Sequence, residues 1–375
     1  TLTYGDFITR KWLDNKFYGG TFSLNYEKEK NNLTIGGAFN QYGHAKHFGE
    51  IIWAQYSANS QIRQHYYDGK SQKDDFNMYA KWNHELTSAL NAFVDLQYRY
   101  VGYKTSGIDD GLTPYDIDET FNFFNPKAGL SYSMSSKDVL YGSYAIANRE
   151  PNRTDYLDND VKPKPERLGN LEAGWRRKSD RYALETNYYL MNYTDQLVLT
   201  GELDNVGNPV RMNIGKSYRS GVELSGTVQL TDKLVWNANA TWSVNKNVDY
   251  VVDPSNVGEK KNTTIVLSPE WIAGSQMTYN VFGNFAATLM TKYVGKQYLD
   301  NTQTESLVLD DYLVNDVRLN YSLSPKGMKA LDLSVLVNNI FNVTYSSNGA
   351  TYGDGVGYYF PQAGTNVMGM VTLKF

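Results

Sequence analysis

Residues 234–244 read LVWNANATWSV, and this stretch decides the fold class. Every second residue from Leu234 to Val244 is apolar or aromatic, whereas the residues between them are one Val and otherwise Asn, Thr and Ser. A period of two is typical of a β-strand, because successive side chains of a strand point to opposite faces. The stretch therefore predicts a strand with one apolar face and one polar face.

The same alternation recurs along the chain. Apolar residues hold alternate positions in 221–230, in 90–100 and, mostly, in 367–375, with Phe93 as an exception, and no stretch shows a comparable helical period. The sequence therefore predicts an all-β chain with no domain boundary. The about fifteen predicted strands lie near 16–28, 32–45, 76–86, 89–103, 121–134, 138–147, 167–178, 181–199, 210–229, 233–246, 263–279, 283–296, 311–323, 329–344 and 365–375.

The connections between the predicted strands largely alternate between short and long. Long connections are predicted near 46–75, 104–120, 148–166, 247–262, 297–310 and 345–364, with a shorter one near 200–209. Barrels of the outer membrane have short periplasmic turns and long extracellular loops. We therefore expect residues 1–375 to form a transmembrane antiparallel β-barrel in the outer membrane, with the long loops outside the cell and the C-terminus in the periplasm.

The amino-acid composition argues against several classes of function. The chain has 36 basic and 40 acidic residues (36 − 40 = −4), no cysteine and 31 tyrosines. Disulfides and thiolate chemistry are thereby excluded, and the near-balanced charge argues against a nucleic-acid partner. Tyrosine concentrates where a membrane barrel meets the lipid–water interfaces. Candidates for such interfacial positions are Tyr98, Tyr100, Tyr182, Tyr188 and Tyr293.

Several motifs, taken together, resemble one family. The chain resembles the barrel portion of TonB-dependent outer-membrane receptors, especially those of Bacteroidetes-type bacteria, over about residues 121 to 375. The resembling stretches are FNPKAGLSY at 124–132, REPN at 149–152, KPERLGNLEAG at 164–174, YRSGVEL at 218–224, VNNIFNVTY at 337–345 and the terminal Phe375.

The resemblance implies more structure than this chain supplies. Family members have a 22-stranded barrel and an N-terminal plug domain in its lumen, whereas about fifteen strands and no plug are predicted here. Single-chain bacterial barrels close with an even number of strands, and open edges in lipid are costly. We therefore expect the C-terminal part of a receptor, beginning in an extracellular loop near residues 1–15. The plug and first strands would be a separate chain, cleaved or disordered.

The resemblance also implies partners and a function. Expected partners are outer-membrane lipid, the plug and remaining strands, the TonB energy-coupling complex and a small-molecule ligand. The predicted function is import of a scarce nutrient, foremost a ferric siderophore or another iron complex. Alternatives are a passive porin-like, structural or adhesive barrel, and an importer of cobalamin, haem or oligosaccharide. No G-x-S-x-G, H-E-x-x-H or Walker motif occurs, so we expect neither an enzyme nor a cofactor, and an outer-membrane protease or phospholipase ranks last.

Candidate ligand-binding residues lie in the predicted long loops and beside them. Aromatic and arginine side chains suit flat, anionic ferric complexes through stacking and charge pairing. The candidates are His44, His47, Trp53, Tyr56, Arg63, Tyr66, Tyr67, Tyr103, Arg149, Arg153 and Tyr156.

Two hypotheses of metal binding remain, beside the alternative that these side chains are simply solvated. The spacing of His44 and His47 would suit a metal or haem iron. Carboxylates in two predicted loops would suit Ca²⁺. These carboxylates are Asp109, Asp110, Asp116, Asp118, Asp155, Asp158 and Asp160. No resident metal is assigned.

Overall fold

The computed structural model describes residues 5–56, 61–109, 111–159, 161–204, 207–252, 258–352 and 355–375. Within them the only helix is α1, Arg153–Leu157, and no helix there has the length and apolar character needed to cross a membrane. The strands are β1 Phe7–Lys28, β2 Asn31–Ala54, β3 Gln64–Glu85, β4 Leu90–Ile108, β5 Pro114–Ser133, β6 Asp138–Arg149, β7 Glu166–Lys178, β8 Tyr182–Leu203, β9 Pro209–Gln229, β10 Leu234–Val251, β11 Lys260–Thr264, β12 Trp271–Phe282, β13 Phe285–Val294, β14 Gln297–Tyr298, β15 Val308–Leu309, β16 Tyr312–Leu323, β17 Ala330–Asn338, β18 Ser346–Ala350, β19 Tyr358–Pro361 and β20 Asn366–Lys374.

One large antiparallel sheet contains most of these strands. Its neighbours follow chain order from β1 to β10 and then run β12, β13, β16, β17 and β20, while β11 pairs with β10 as a sixteenth strand. Two small sheets pair β14 with β15 and β18 with β19. The prediction of an all-β fold with about fifteen antiparallel strands is confirmed.

The alternation in β10 separates two faces as predicted. Trp236 and Trp242 are 36% and 43% exposed. On the other face, Asn237 accepts a hydrogen bond of 2.6 Å from the hydroxyl of Thr227 on β9. The same division holds elsewhere, since Tyr98 and Tyr188 are 43% and 40% exposed. The sequence pattern therefore distinguishes an apolar face of the strand from a polar one.

The strands extend further than predicted on the side of the long connections. β2 continues to Ala54 and β3 begins at Gln64, so most of the loop predicted at 46–75 is wrong, as is most of that at 104–120. The ladder continues there through pairs such as Ala45 with Ser71. Because both faces of these extensions carry polar residues, the apolar period of two disappears while the backbone hydrogen bonds continue.

Two predicted strands end early, and one helix was not predicted. The strand expected at 263–279 is broken between Thr264 and Trp271, where Pro269 lacks the N–H that a ladder needs. The strand expected at 329–344 ends at Asn338, and the next residue, Asn339, has a left-handed φ of 49°. The helix α1 has five residues, which are too few to show a helical period in the sequence.

The chain forms two compact units. Unit 1 comprises Thr1–Leu86, Asn91–Ala128 and Ile146–Pro163, and unit 2 comprises Thr87–Leu90, Gly129–Ala145 and Lys164–Phe375. Small apolar clusters occur in unit 2 at the ends of the long strands and in the connections beyond them. Their buried members are Val198, Ile214, Ile265 and Val266 in one cluster and Leu299, Leu307 and Leu309 in another.

Candidate ligand-binding site

An ion-pair network fixes the segment that follows β6 in unit 1. The carboxylate of Glu150, whose side chain is only 8% exposed, accepts a 2.7 Å bond from Lys73 Nζ. It also accepts bonds of 2.9 and 3.0 Å from the two terminal nitrogens of Arg99. Arg99 in turn donates to Asp75 at 2.6 Å. Residue 150 is therefore held against β3 and β4 by charge-assisted hydrogen bonds, which are stronger than neutral ones.

Electrostatics keep Glu150 ionised. Burial acts to raise the pKa of Glu150, but the hydrogen bonds from Lys73 and Arg99 outweigh it and hold the pKa below the ordinary glutamate value. Two cations and two carboxylates thus neutralise each other in this network.

The helix α1 is positioned by its own cap. The side chain of Asn152 accepts a 2.9 Å bond from the backbone N–H of Asp155, and the N–H of Asn152 donates to the Asp155 carboxylate at 2.7 Å. This reciprocal pair is a capping box, which satisfies two backbone donors at a helix start. Lys162, after the helix, forms an ion pair with Glu119 on β5. Both ends of the α1 segment are therefore fixed within unit 1.

One histidine joins a hydrogen-bonded row across three strands. His47 Nε2 lies 3.1 Å from Ser71 Oγ, and Ser71 Oγ lies 2.7 Å from Thr105 Oγ1. Gly69 leaves room beside this row, because a Cβ there would lie 2.2 Å from Tyr115 Oη and 2.9 Å from His47 Cδ2. The glycine thus lets the phenol of β5 approach the imidazole of β2.

Arg153 on α1 connects this row to two further predicted residues. Its positive charge acts on both His47 and Tyr103, and Tyr115 and Tyr156 also interact with Tyr103. No described residue forms an ion pair with Arg153. We call these five residues, His47, Tyr103, Tyr115, Arg153 and Tyr156, the α1 site.

The hydroxyl of Tyr156 is unusual within the α1 site. It is buried and has no hydrogen-bond partner among the described residues. Burial raises the pKa of Tyr156, and the nearby negative charge of Glu119 raises it further. The phenol therefore stays protonated and can donate a hydrogen bond to an acceptor that enters the site.

The structure places the other predicted residues differently. Trp53 and Tyr56 are 52% and 63% exposed at the end of β2 and just after it. Tyr66 and Tyr67 pack edge to face, with ring centroids 5.1 Å apart. Arg63 lies in the turn before β3, and Arg149 is the exposed last residue of β6. Thus His47, Tyr103, Arg153 and Tyr156 come together, whereas Trp53, Tyr56, Arg63 and Tyr66 have other surroundings.

The described residues contain no ligand cluster for either hypothesis of metal binding. His44 sits in a β-bulge with a φ of 51° and lines a cavity with Lys46, Lys70 and Lys104. Ser71 and Thr105, which belong to the hydrogen-bonded row of His47, line the same cavity. No group of three potential His or carboxylate ligands occurs among the residues that the structure describes. Asp118 pairs with Lys104 at 2.8 Å. Asp110 and Asp160 lie outside the described residues.

Sequence reasoning missed Ser71, Tyr115 and Glu150. Ser71 and Tyr115 lie in segments predicted as loops, where no face could be assigned. Glu150 stands inside the REPN motif, and its position beside a buried Pro151 is the signal that would have marked it.

A family comparison identifies the chain. The family described as "TonB dependent receptor-like, beta-barrel" matches residues 1–340. The chain belongs to this family. The family inferred from the sequence motifs is thus confirmed, and its members are outer-membrane transporters rather than enzymes.

Individual relatives agree with this assignment. An "Uncharacterized TonB-dependent receptor" from Haemophilus influenzae is 27% identical over 229 residues, which cover 59% of this chain and 64% of that protein. The siderophore receptor PiuA from Acinetobacter baumannii superposes with a TM-score of 0.73 at 15% identity, over 97% of this chain and 56% of PiuA. The copper transporter OprC gives a TM-score of 0.75 at 15% identity, over 98% of this chain and 57% of OprC. At such identities the likeness shows the fold alone, and the chain spans less than two thirds of each relative.

Proposed function

We propose that this chain forms the wall and the outer ligand-binding surface of a TonB-dependent importer whose cargo is a ferric siderophore or a similar iron complex. The α1 site carries this proposal. It combines a cation without a carboxylate partner among the described residues, an imidazole and three phenols, beside the hydrogen-bonded row of His47 and the capped helix α1. Such groups suit an anionic, oxygen-rich ligand, because guanidinium and phenol donors meet its oxygens while aromatic rings cover its flat faces.

The solved relatives are consistent with this cargo but do not decide it. PiuA is a siderophore receptor, whereas OprC is a copper transporter with an equally similar fold. Function on a shared fold depends on the site. The cluster in the α1 site favours an anionic complex over a bare metal ion, because the described residues supply donors of hydrogen bonds and no group of three metal ligands.

The proposal includes the arrangement in the membrane. Short connections between paired strands, such as 29–30, 86–89 and 179–181, would face the periplasm with the C-terminus. The α1 segment and the other long connections would face outward. The complete importer would contain outer-membrane lipid contacts, a plug, further barrel strands and the TonB energy-coupling complex, with residues 1–375 as one barrel domain.

A binding experiment tests the cargo. The full receptor, purified in detergent, is titrated by calorimetry with ferric citrate, a ferric tris-catecholate and a ferric hydroxamate, and in parallel with cobalamin, haemin and maltooligosaccharides. We expect saturable binding of at least one iron complex. Binding of cobalamin, haemin or an oligosaccharide without any binding of iron complexes would overturn the proposed cargo.

A matched pair of variants tests the site. Arg153→Gln removes the charge of the α1 site, and Arg181→Gln removes an exposed arginine whose partner is Asp232, 3.3 Å away. We expect the first variant to weaken binding of the iron complex by about tenfold to a hundredfold, since a charged hydrogen bond is lost. The second should bind like the wild type. Equal affinity of both variants would remove Arg153 from the site.

A further inference from the structure

One face of the large sheet in unit 2 carries exposed aromatic rings. Tyr188 on β8 and Trp242 on β10 both lie opposite Val222 on β9, and Trp242 lies opposite Trp271 on β12. Directly opposed residues of an antiparallel sheet share a face, so these rings form one cross-strand row. The three rings are 40%, 43% and 50% exposed, in that order. Rings in such a row suit the boundary between lipid and water.

The same face becomes basic nearer to the long connections. Lys246 follows Trp242 by four residues on β10, and Lys216 precedes Val222 by six on β9. Even spacings keep a side chain on the same face of a strand, and the pairing of β9 with β10 is regular over these residues. Arg167 on β7 joins them, because Thr194 on β8 lies opposite both Arg167 and Lys216. We call Arg167, Lys216 and Lys246 the basic patch.

The cations of the basic patch have no acidic partner among the described residues. Arg167 and Lys216 are exposed, and their side chains form no hydrogen bond or ion pair with a described residue. Lys246 Nζ donates to the hydroxyl of Thr264 at 2.9 Å, which leaves its charge unbalanced. Other exposed cations of unit 2 do pair with carboxylates. Examples are the pairs Arg176–Glu185, Lys296–Glu305 and Lys374–Asp332.

The acidic residues adjacent in sequence do not neutralise the basic patch. Glu166 precedes Arg167 and therefore lies on the opposite face, where its carboxylate accepts a 3.0 Å bond from a backbone N–H of β8. Asp195 forms an ion pair with Lys164 at 3.8 Å. Asp249 lies in an irregular part of the pairing of β10 with β11 and forms no ion pair with a described residue. The patch is thus a local excess of positive charge.

The residues between the aromatic row and the basic patch keep this face mainly apolar. They form a cross-strand row of Leu171, Leu190, Ser220 and Val244. Ser220 Oγ donates a 3.2 Å hydrogen bond to Tyr188 Oη, so the polar tip of the tyrosine points towards the basic patch. The face therefore passes from apolar to aromatic to basic over a few residues, as expected where hydrocarbon gives way to headgroups.

We propose that the basic patch binds the phosphate of a membrane lipid whose acyl chains lie along the same face, beside Tyr188 and Trp242. The inference rests on the proposed arrangement in the membrane, because it needs this face to meet lipid. Basic side chains next to an apolar surface attract anionic headgroups. The patch extends from β7 to β10, which is about 14 Å at the usual strand spacing. A soluble phosphate would use the cations but not the apolar face, so the continuity of the two favours a lipid.

Native mass spectrometry of the full receptor, delipidated in detergent, tests the patch. The probes are diphosphoryl lipid A and a diacyl galactolipid, which carries a sugar but no phosphate. We expect the wild type to retain lipid A in preference to the galactolipid. Lys216→Gln should weaken retention of lipid A by about fivefold, and the triple variant Arg167→Gln, Lys216→Gln, Lys246→Gln by about a hundredfold, since each cation near an anionic lipid contributes a similar attraction.

A matched triple variant, Arg181→Gln, Lys233→Gln, Lys326→Gln, removes three exposed cations at short connections and changes the net charge equally. It should retain lipid A as the wild type does, and heat-modifiable migration on gels should show that every variant is folded.

Three outcomes overturn the proposal. They are equal retention of lipid A by the folded patch variant, an equal loss in the matched variant, and displacement of lipid A by inorganic phosphate, which would identify a soluble anion as the ligand. Reconstitution of the wild type into phosphatidylcholine vesicles separates this inference from the proposed function. Insertion without a preference for lipid A overturns the patch alone, whereas failure to insert overturns the membrane arrangement.

Discussion

Arg99 in unit 1 and Arg219 in unit 2 are both strand arginines on polar faces, yet their surroundings differ. Arg99 donates to two carboxylates, those of Asp75 and Glu150. Arg219 donates to an amide and a hydroxyl, and no carboxylate among the described residues pairs with it. The charge of Arg99 is neutralised within the fold, where its ion pair with Glu150 fixes the segment leading to α1.

The difference has an energetic meaning. Removing one partner from a buried ion network leaves the other charges uncompensated and is strongly destabilising. Replacing an unpaired, half-buried charge by a neutral group removes the desolvation cost of that charge and so stabilises the folded chain. Substitutions in the two regions should therefore change stability in opposite directions, and four predictions test this.

The largest effect is expected for Glu150→Gln. The variant leaves Lys73 and Arg99 without their shared anion, and since these cations are 39% and 25% exposed, we expect a loss of about 2 kcal/mol rather than the 3–5 of a fully buried pair. The loss should appear as faster hydrogen exchange of the backbone amides at 150–159. Glu305→Gln, which breaks the exposed pair with Lys296, serves as the control and should change exchange little. Equal protection in both variants would contradict a structural role for the network.

Acid should weaken the same network. The pKa of Glu150 is lower in the folded chain than its ordinary value of 4.5. The stabilisation is therefore fully present above that ordinary value and is lost as the pH falls through the lower folded-state pKa. We expect protection of amides 150–159 to decrease between pH 5 and about pH 3 in the wild type. The decrease should be smaller in Glu150→Gln, and an identical pH profile in both would remove Glu150 as its cause.

The third prediction concerns Arg219. Arg219→Gln should leave thermal stability unchanged or raise it by up to about 1 kcal/mol, because an uncompensated charge is replaced by a neutral amide. Arg99→Gln, the matched variant in unit 1, should lower it. Thermal unfolding in detergent, followed by circular dichroism, compares the two. If Arg219→Gln destabilises as much as Arg99→Gln, then Arg219 has a structural partner and the contrast between the two regions is wrong.

Sequence alone predicts the fold well because the signal for it is local. The alternation around Trp236 and Trp242 assigns two faces without any knowledge of neighbouring strands. The parts of β2 and β3 near Ala45 and Ser71 carry polar residues on both faces, so the alternation ends before the strands do. That is why His47, Trp53, Tyr66 and Tyr67, which were expected in the loop at 46–75, lie on β2 or β3.

The chemistry of the arginines is not local and could not be predicted. Arg99 is neutralised by Glu150, which is 51 residues away in the chain. Arg219 donates to Ser268, which is 49 residues away, and pairs with no carboxylate in the part of the chain that the structure describes. The residues adjacent to each arginine in sequence do not distinguish these cases. Strand register and the path of the segment after β6 decide which charge is paired.

The smallest effect is expected for Tyr156→Phe in the α1 site. Its buried hydroxyl has no partner among the described residues, so its removal should stabilise the folded chain slightly, by about 1 kcal/mol or less. The same substitution should weaken binding of an oxygen-rich ligand severalfold, because the ligand would be the acceptor that the phenol lacks. Thermal unfolding and calorimetry on one protein sample measure both quantities. Loss of stability without loss of affinity would mean that the hydroxyl serves the fold, and Tyr156 would then join Arg99 among the structural groups of unit 1.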